Sequence, residues 1–418
     1  MLDKRQERQP PGSKGVAIVC VLFFLVYLGN SLWLSLFPNY LLRLGMDSLA
    51  IGIMLMAYNA SLSLTYLPSG RLSDKLGRRP LIIAGSSLVA LSTLYLSVTA
   101  QTESIFVAVI GQGVGLGLLV PSGNALISDV ASERGAGSAF AIYQIAALSA
   151  AIVGSFGAGA LAMDLGFPTI FVLSAMLTGS TVVIGFLMVP ETVTRRVGGY
   201  ASAVSESLRS SITGTVRMLG SNHELALLAG ALVVHGVGFA MINPFVPLFA
   251  EKAIHLDISE VGIILSMWNV GLTVTQIPSG RLTDRVGARP MLLVHFVLSS
   301  LSWVVYTWSW NLASGIVTML FFGVVGALDI PARRTIMIEY ATAKDGKATI
   351  IGSLDAITGT TGIFGPLIGG VIWAQMGYAA PFQAAGLINA FACVPLIVMM
   401  RRRVSLQSAS AASKAASE

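Results

Sequence analysis

Apolar runs of about 20 residues follow one another along almost the whole chain, separated by short polar breaks. A run of that length spans the hydrocarbon core of a bilayer as a helix. The pattern predicts twelve such helices, over 16–38, 48–69, 80–100, 104–127, 138–162, 168–189, 224–249, 259–279, 290–309, 312–338, 347–374 and 380–400. The first run is too long for the apolar region of a secretory signal and lacks a small-residue cleavage site, so it reads as an uncleaved first helix. A polar, Ser-rich stretch over about 191–223 divides the runs into six and six. The tail from Ser405 to Glu418 is rich in Ser and Ala and reads as unstructured.

Composition agrees with a membrane protein. The 418 residues are 54% hydrophobic and 11% charged, with a mean hydropathy of +0.77. Soluble domains average about 25% charged residues. Little polar chain is left over for an enzyme domain. The two cysteines, Cys20 and Cys393, fall inside predicted spans and suggest neither a disulfide framework nor a metal site.

The net charge of +6 would suggest an anionic partner if it were spread evenly. With twelve spans, however, 24 of the 26 basic residues fall on the side that carries both termini, and only Arg43 and Lys252 fall on the other. That asymmetry is the positive-inside rule. It predicts a multi-pass protein of the cell membrane with cytoplasmic termini, and it implies a lipid bilayer rather than nucleic acid as partner.

The chain also repeats itself. The stretch PSGRLSDKLGRRP (Pro68 to Pro80) recurs as PSGRLTDRVGARP (Pro278 to Pro290), offset by 210 residues. Fifteen of the thirty positions from Ile51 to Pro80 are identical to their counterparts in 261–290. The same offset pairs Pro121 with Pro331 and Asp129 with Glu339. A duplicated six-helix unit explains this, and parallel repeats of that kind build several transporter folds. Each copy is read as a short reversal in which Gly70 and Gly77 allow close approach and unusual dihedrals, with Pro80 in the first turn of the next helix.

These loops resemble the signature between the second and third helices of the major facilitator superfamily. The first copy has Gly70, Leu72, Asp74, Gly77, Arg78 and Arg79 at the signature positions. The second has Gly280, Leu282, Asp284, Gly287 and Arg289, with Ala288 where the first basic residue belongs. VPETV (Val189 to Val193) at the end of the sixth span is a further feature of that family. The resemblance covers about 16–400 and implies an all-α fold of two pseudo-symmetric six-helix bundles. The implied organisation is bundles over 1–190 and 224–400, a cytoplasmic linker over 191–223 and a tail over 401–418.

It further implies a cytoplasmic gate at Gly70, Arg71, Asp74, Gly77, Arg78, Arg79 and Asp129, mirrored by Gly280, Arg281, Asp284, Arg289 and Glu339. There the charged residues would latch one half against the other. The plainer alternative is that they fix only topology and a tight turn.

Ionisable residues at membrane depth are functional candidates by default. Asp329, Asp355 and His235 fall there, and Arg333 stands one helical turn from Asp329. An aspartate at a helix centre costs roughly 2.5–3.5 kcal/mol on insertion scales, so something must offset it. Asp329 and Asp355 are read as binding a proton or a cationic solute, with Arg333 tuning Asp329; a closed Asp329–Arg333 pair is the alternative that stays open for Asp329. Trp268 and Asn269 repeat Tyr58 and Asn59 and, with Asn30 of the first span, are candidate cavity residues. His223 and His295 read as interface residues near the basic side.

The chain departs from the pattern of proton-coupled exporters in its first half. Val109 stands where they carry an arginine before the Gln112–Gly113 step, and GSFGAGA (Gly154 to Ala160) lacks their proline. A proline of that type occurs instead in GIFGPLIGG (Gly362 to Gly370), where Pro366 predicts a bend. No phosphate-binding GxxxxGK[ST] loop is present, so ATP does not drive the protein, and no cofactor is expected. The reading is a monomeric secondary transporter, not an enzyme, that moves a small solute by alternating access, with proton-linked export ahead of a metabolite uniporter or symporter. A transport-dead membrane receptor is the alternative from another class.

Overall fold

The structure, a computed structural model, describes residues 13–131, 136–192, 219–220, 222–340, 354 and 357–415. All regular elements among them are helical. In the first half these are α1 (Ser13–Leu34), α2 (Phe37–Arg43), α3 (Ser48–Leu76), α4 (Arg78–Val98), α5 (Thr102–Val130) and α6 (Ala136–Leu187). In the second half α7 (His223–Ile242) leads through a 3₁₀ turn (Asn243–Phe245) into α8 (Val246–Lys252). There follow α9 (Ile258–Val286), α10 (Ala288–Tyr306), α11 (Leu312–Gly326), α12 (Asp329–Glu339), α13 (Gly365–Met376) and α14 (Ala380–Ala415).

Eleven helices among the described residues are long and apolar enough to cross a membrane. One is a 50-residue stretch of α6, which at 1.5 Å per residue is more than twice the roughly 30 Å hydrocarbon core. Gly166, with φ 77° and ψ 166°, breaks it into two crossings. Twelve crossings result, as the apolar pattern predicts.

The repeat is visible in the caps. Asp47 caps α3 and Asp257 caps α9 through their side chains, and the two positions are 210 apart. The predicted short reversal shrinks to one glycine. α3 continues through Pro68 to Leu76, and α4 starts at Arg78. Gly77 (φ 103°) and Gly287 (φ 99°) make the two turns with a backbone that other residues rarely adopt. Gly70 and Gly280 lie inside α3 and α9 with open space where a β-carbon would sit, so close approach is not what they provide. The tail also departs from expectation: α14 runs on to Ala415, its Ala/Ser/Lys run holding no glycine or proline to stop it.

The halves meet toward the face opposite the glycine–arginine turns. There Asn39 donates to the Pro247 carbonyl (3.2 Å) and to Glu251 (2.6 Å), and Ser48 donates to the Gly370 carbonyl (3.0 Å). One apolar core runs across both halves at this end, joining Trp33, Phe37 and Phe171 to Phe245, Phe249 and Phe382. On the turn-bearing side the second half keeps a separate cluster around Leu292, Phe296, Ile336 and Leu396. A continuous core on one face and divided cores on the other is the geometry of two bundles closed at one end.

Candidate functional site

A cavity of about 490 Å³ lies between the halves. Its polar lining is uncharged and includes Asn30, Asn59, Ser63, Asn243 and Asn269, with Tyr58 and Trp268 among its aromatic walls. The three candidates Asn30, Trp268 and Asn269 are thus brought together there. Asn59 and Ser63 reach across to the second half, donating to the carbonyls of Gly362 (3.2 Å) and Gly359 (3.1 Å). Those carbonyls flank the turn at 362–364 that precedes α13, where Pro366 stands in the first turn and the expected bend occurs.

A second cavity of about 290 Å³ opens off the first inside the second half, and Gly236, Phe239, Trp268 and Thr358 line both. Trp268 stands at the boundary, stacked on Phe322 with ring centroids 5.6 Å apart. Deeper in lie Asp329 and Arg333, paired at 3.0 Å with both side chains mostly buried. Asp329 Oδ1 and Arg333 Nε have no hydrogen-bond partner among the described residues.

A break in the tenth crossing makes this pocket. α11 ends at Gly326 and α12 begins at Asp329. Side chains meet carbonyls at the break: His295 Nδ1 lies 2.9 Å from the Val325 carbonyl, which also accepts the Leu328 N–H (3.1 Å), and Ser279 donates to that of Ala327 (2.8 Å). Irregular backbone at membrane depth needs such partners. The carboxylate of Asp329 stands in the first turn of α12, where the helix dipole favours negative charge. Asp329 answers to Leu119 in the repeat, but α5 runs unbroken past that residue, which is fully buried. The charge and the break are therefore features of the second half.

Two histidines complete the pocket. His235 faces it as expected, but His295 does too: it is buried on α10, with its Nε2 3.4 Å from that of His235. The interface role read for His295 is corrected by its place on the inner face of α10, two turns from the helix start. Arg333, counted among the basic residues of the terminus side, also points inward, because it sits one turn after Asp329. Asp355 lies outside the described residues. Val109 is fully buried, and Gln112 faces α4 rather than the cavity, donating to the Val89 carbonyl (3.2 Å) and to Thr93.

At the turn-bearing face the ion pairs Arg78–Asp74, Arg78–Asp129 and Arg289–Glu339 each lie within one half. Arg78 is buried and reaches Asp129 (3.1 Å), Asp74 (2.5 Å) and Ser73 (3.1 Å). Glu191 accepts the Arg78 backbone N–H (3.0 Å) at the start of α4, and Thr192 donates to Asp129 (2.6 Å). Arg79 instead lies over the Phe186 ring, 5.2 Å from its centroid. In the second half the buried arginine is Arg289, which holds Glu339 (2.7 Å) and the Tyr340 hydroxyl (2.8 Å), while Tyr340 donates to Glu224. Asp284, Arg71 and Arg281 are exposed on this face. The i+4 neighbour of Asp284 is Ala288, where Asp74 has Arg78. Glu191 carried a signal in VPETV; Tyr340 and Glu224 carried none.

A family profile described as Major Facilitator Superfamily matches residues 19–234 and 228–417. Multidrug resistance protein 2 of Bacillus subtilis (strain 168) is 21% identical over 369 residues, covering 87% of this chain and 90% of that protein. Multidrug resistance protein MdtG of Salmonella typhimurium (strain LT2) is 24% identical, covering 81% of this chain and 82% of its own. Among solved structures, the nucleoside transporter NupG superimposes with a TM-score of 0.76 at 15% identity, covering 92% of this chain and 99% of that one. A peptide transporter in complex with sulfate reaches a TM-score of 0.78 at 14% identity, covering 93% and 94%. These likenesses carry the fold.

Proposed function

This chain belongs to the major facilitator superfamily, and we propose that this secondary transporter exports a small solute by alternating access in exchange for protons. The observation that carries the reading is the Asp329–Arg333 pair, part-satisfied and set in a pocket that opens off the central cavity. Buried charge with an unpartnered oxygen and an aromatic wall suits a solute that brings a cation or a donor. Similarity to proteins named for multidrug resistance supports export.

In this reading residues 1–190 and 224–400 are the moving bundles, 191–223 the linker and 401–418 the tail. The protein acts as a monomer with both termini cytoplasmic. The turns are the gate: the pairs now held within each half would reach across when that face closes. A metabolite uniporter or symporter is the second reading, favoured by the uncharged lining of the central cavity.

The test is reconstitution in liposomes that hold a pH dye, challenged with a panel of cationic and neutral solutes. A pH change that depends on solute supports exchange. Labelled solute that crosses without one overturns proton linkage and favours the uniporter. Asp329→Asn is expected to abolish the pH change, and unaltered coupling in that variant removes Asp329 from the mechanism.

A further inference from the structure

The two histidines of the pocket face each other in a way that fixes their protons. His235 Nδ1 lies 2.8 Å from Asn389 Oδ1. The Asn389 amide nitrogen donates to the Phe296 carbonyl (2.9 Å) and to Ser300 Oγ (3.0 Å), and the Ser300 hydroxyl hydrogen goes to that same carbonyl (2.9 Å). The oxygen of Asn389 is therefore the atom turned to His235, and an amide oxygen can only accept. His235 Nδ1 must carry a hydrogen. His295 Nδ1 lies 2.9 Å from the Val325 carbonyl, which also can only accept, so it carries a hydrogen as well. The Ser299 hydroxyl, 3.4 Å from that nitrogen, is then not its donor. A neutral imidazole has one N–H. Both Nε2 atoms thus present lone pairs, and they present them to each other at 3.4 Å.

We propose that His235 and His295 form a one-proton site, in which a single proton held between the two Nε2 atoms is the ion that this transporter exchanges for its solute. The proposal rests on the proton-linked reading above and names its carrier. One proton from hydronium turns two opposed lone pairs into an N–H···N bond: an O–H bond of the hydronium breaks, one N–H bond forms and water is released. A second proton would set two like charges 3.4 Å apart, so the capacity is one. Ring faces of Phe296 and Trp303, with centroids 5.2 and 5.6 Å from that of His235, suit the imidazolium that results.

The ionisable groups that face the dyad come from α12 alone among the described residues, as Asp329 and Arg333; α9, α11 and α14 contribute aromatic, aliphatic and amide groups. Asp329 then has two cations to choose from when the dyad is charged, and a cationic solute that needs its free oxygen is displaced. A metal could also bridge two Nε2 atoms, but no group of three or more His, Cys, Asp or Glu that could hold one occurs among the described residues. Protein zinc sites use three or four ligands.

The chain has four histidines, of which His223 and His255 are exposed and serve as internal references. Purified protein carrying ¹⁵N-labelled imidazoles would be followed by NMR across the pH range in which it stays folded, together with His235→Gln and His295→Gln. The expected result is one proton taken up in a single step reported by both buried rings. In either variant the remaining ring should stay neutral with its hydrogen on Nδ1, and solute-driven proton movement in liposomes should be lost while solute exchange persists. Independent titration of the two rings, or no uptake by either, overturns the one-proton site. Proton movement that survives in both variants but is lost in Asp329→Asn overturns the dyad as carrier and leaves proton-linked export standing. A wild type that moves solute without protons overturns the coupling reading itself, and the spectra alone then judge the site.

Discussion

Gly159 and Gly262 touch backbone to backbone across the two halves: a β-carbon on Gly262 would stand 2.6 Å from the Gly159 Cα, and one on Gly159 would stand 2.8 Å from the Gly262 Cα. Nothing larger fits while this face is closed. The contact joins the part of α6 before its Gly166 break to the start of α9.

Gly262→Val should therefore favour the other conformation. Overpacking costs about 1–3 kcal/mol, which shifts a two-state equilibrium by roughly 5- to 150-fold. The check is a Ser63→Cys reporter in the cavity, in a background without Cys20 and Cys393, labelled by an impermeant thiol reagent from each side. Labelling should move toward the face opposite the turns, and an unchanged ratio would sink the idea.

Asp329→Asn and Arg333→Gln should each destabilise the protein, because each leaves one buried charge without its partner. Breaking a buried pair costs about 3–5 kcal/mol, and the low end applies here because both side chains keep contact with the cavity. The double variant should recover much of the thermal stability in detergent without recovering transport. Transport regained by the double variant would mean that the pair only holds α12 in shape.

At the turns, Arg78→Ala should be severe and Arg79→Ala mild, since only Arg78 is buried among carboxylates. Lysine should not rescue Arg78, because one ammonium cannot serve Asp129 from Nε and Asp74 and Ser73 from Nη1 together. Transport rates of the three variants at matched expression decide it. Equal loss from Arg78→Ala and Arg79→Ala would contradict the assignment.

Glu191→Ala should weaken the start of α4 by about 0.5–2 kcal/mol, the range for a lost helix cap, while Glu191→Gln, which keeps an acceptor for the Arg78 N–H, should cost less. Thermal unfolding of the two variants in detergent separates them. If glutamine is as damaging as alanine, the charge and not the cap is what matters.

Much of this protein was legible before any fold was known. Twelve crossings follow from run length, because a bilayer of fixed thickness demands about 20 apolar residues each time. The duplication follows from identity at a constant offset, and with it come the paired caps Asp47 and Asp257 and the paired turns Gly77 and Gly287. The Asp329–Arg333 pair was legible too, since i and i+4 share a helix face whatever surrounds them.

What the sequence could not decide was anything set by which faces meet. Repeat alignment puts Arg79 opposite Arg289, yet the buried arginines are Arg78 and Arg289, because Ala288 leaves the neighbouring position to take the role. His235 and His295 are 60 residues apart with no periodicity to link them, and only the packing of both α7 and α10 on α14 brings their Nε2 atoms together. The break before Asp329 was equally hidden: α5 carries the equivalent proline and runs unbroken, so the proline alone does not make the break. Local chemistry determined the elements and their number; contacts between distant elements determined which of their polar groups became a site.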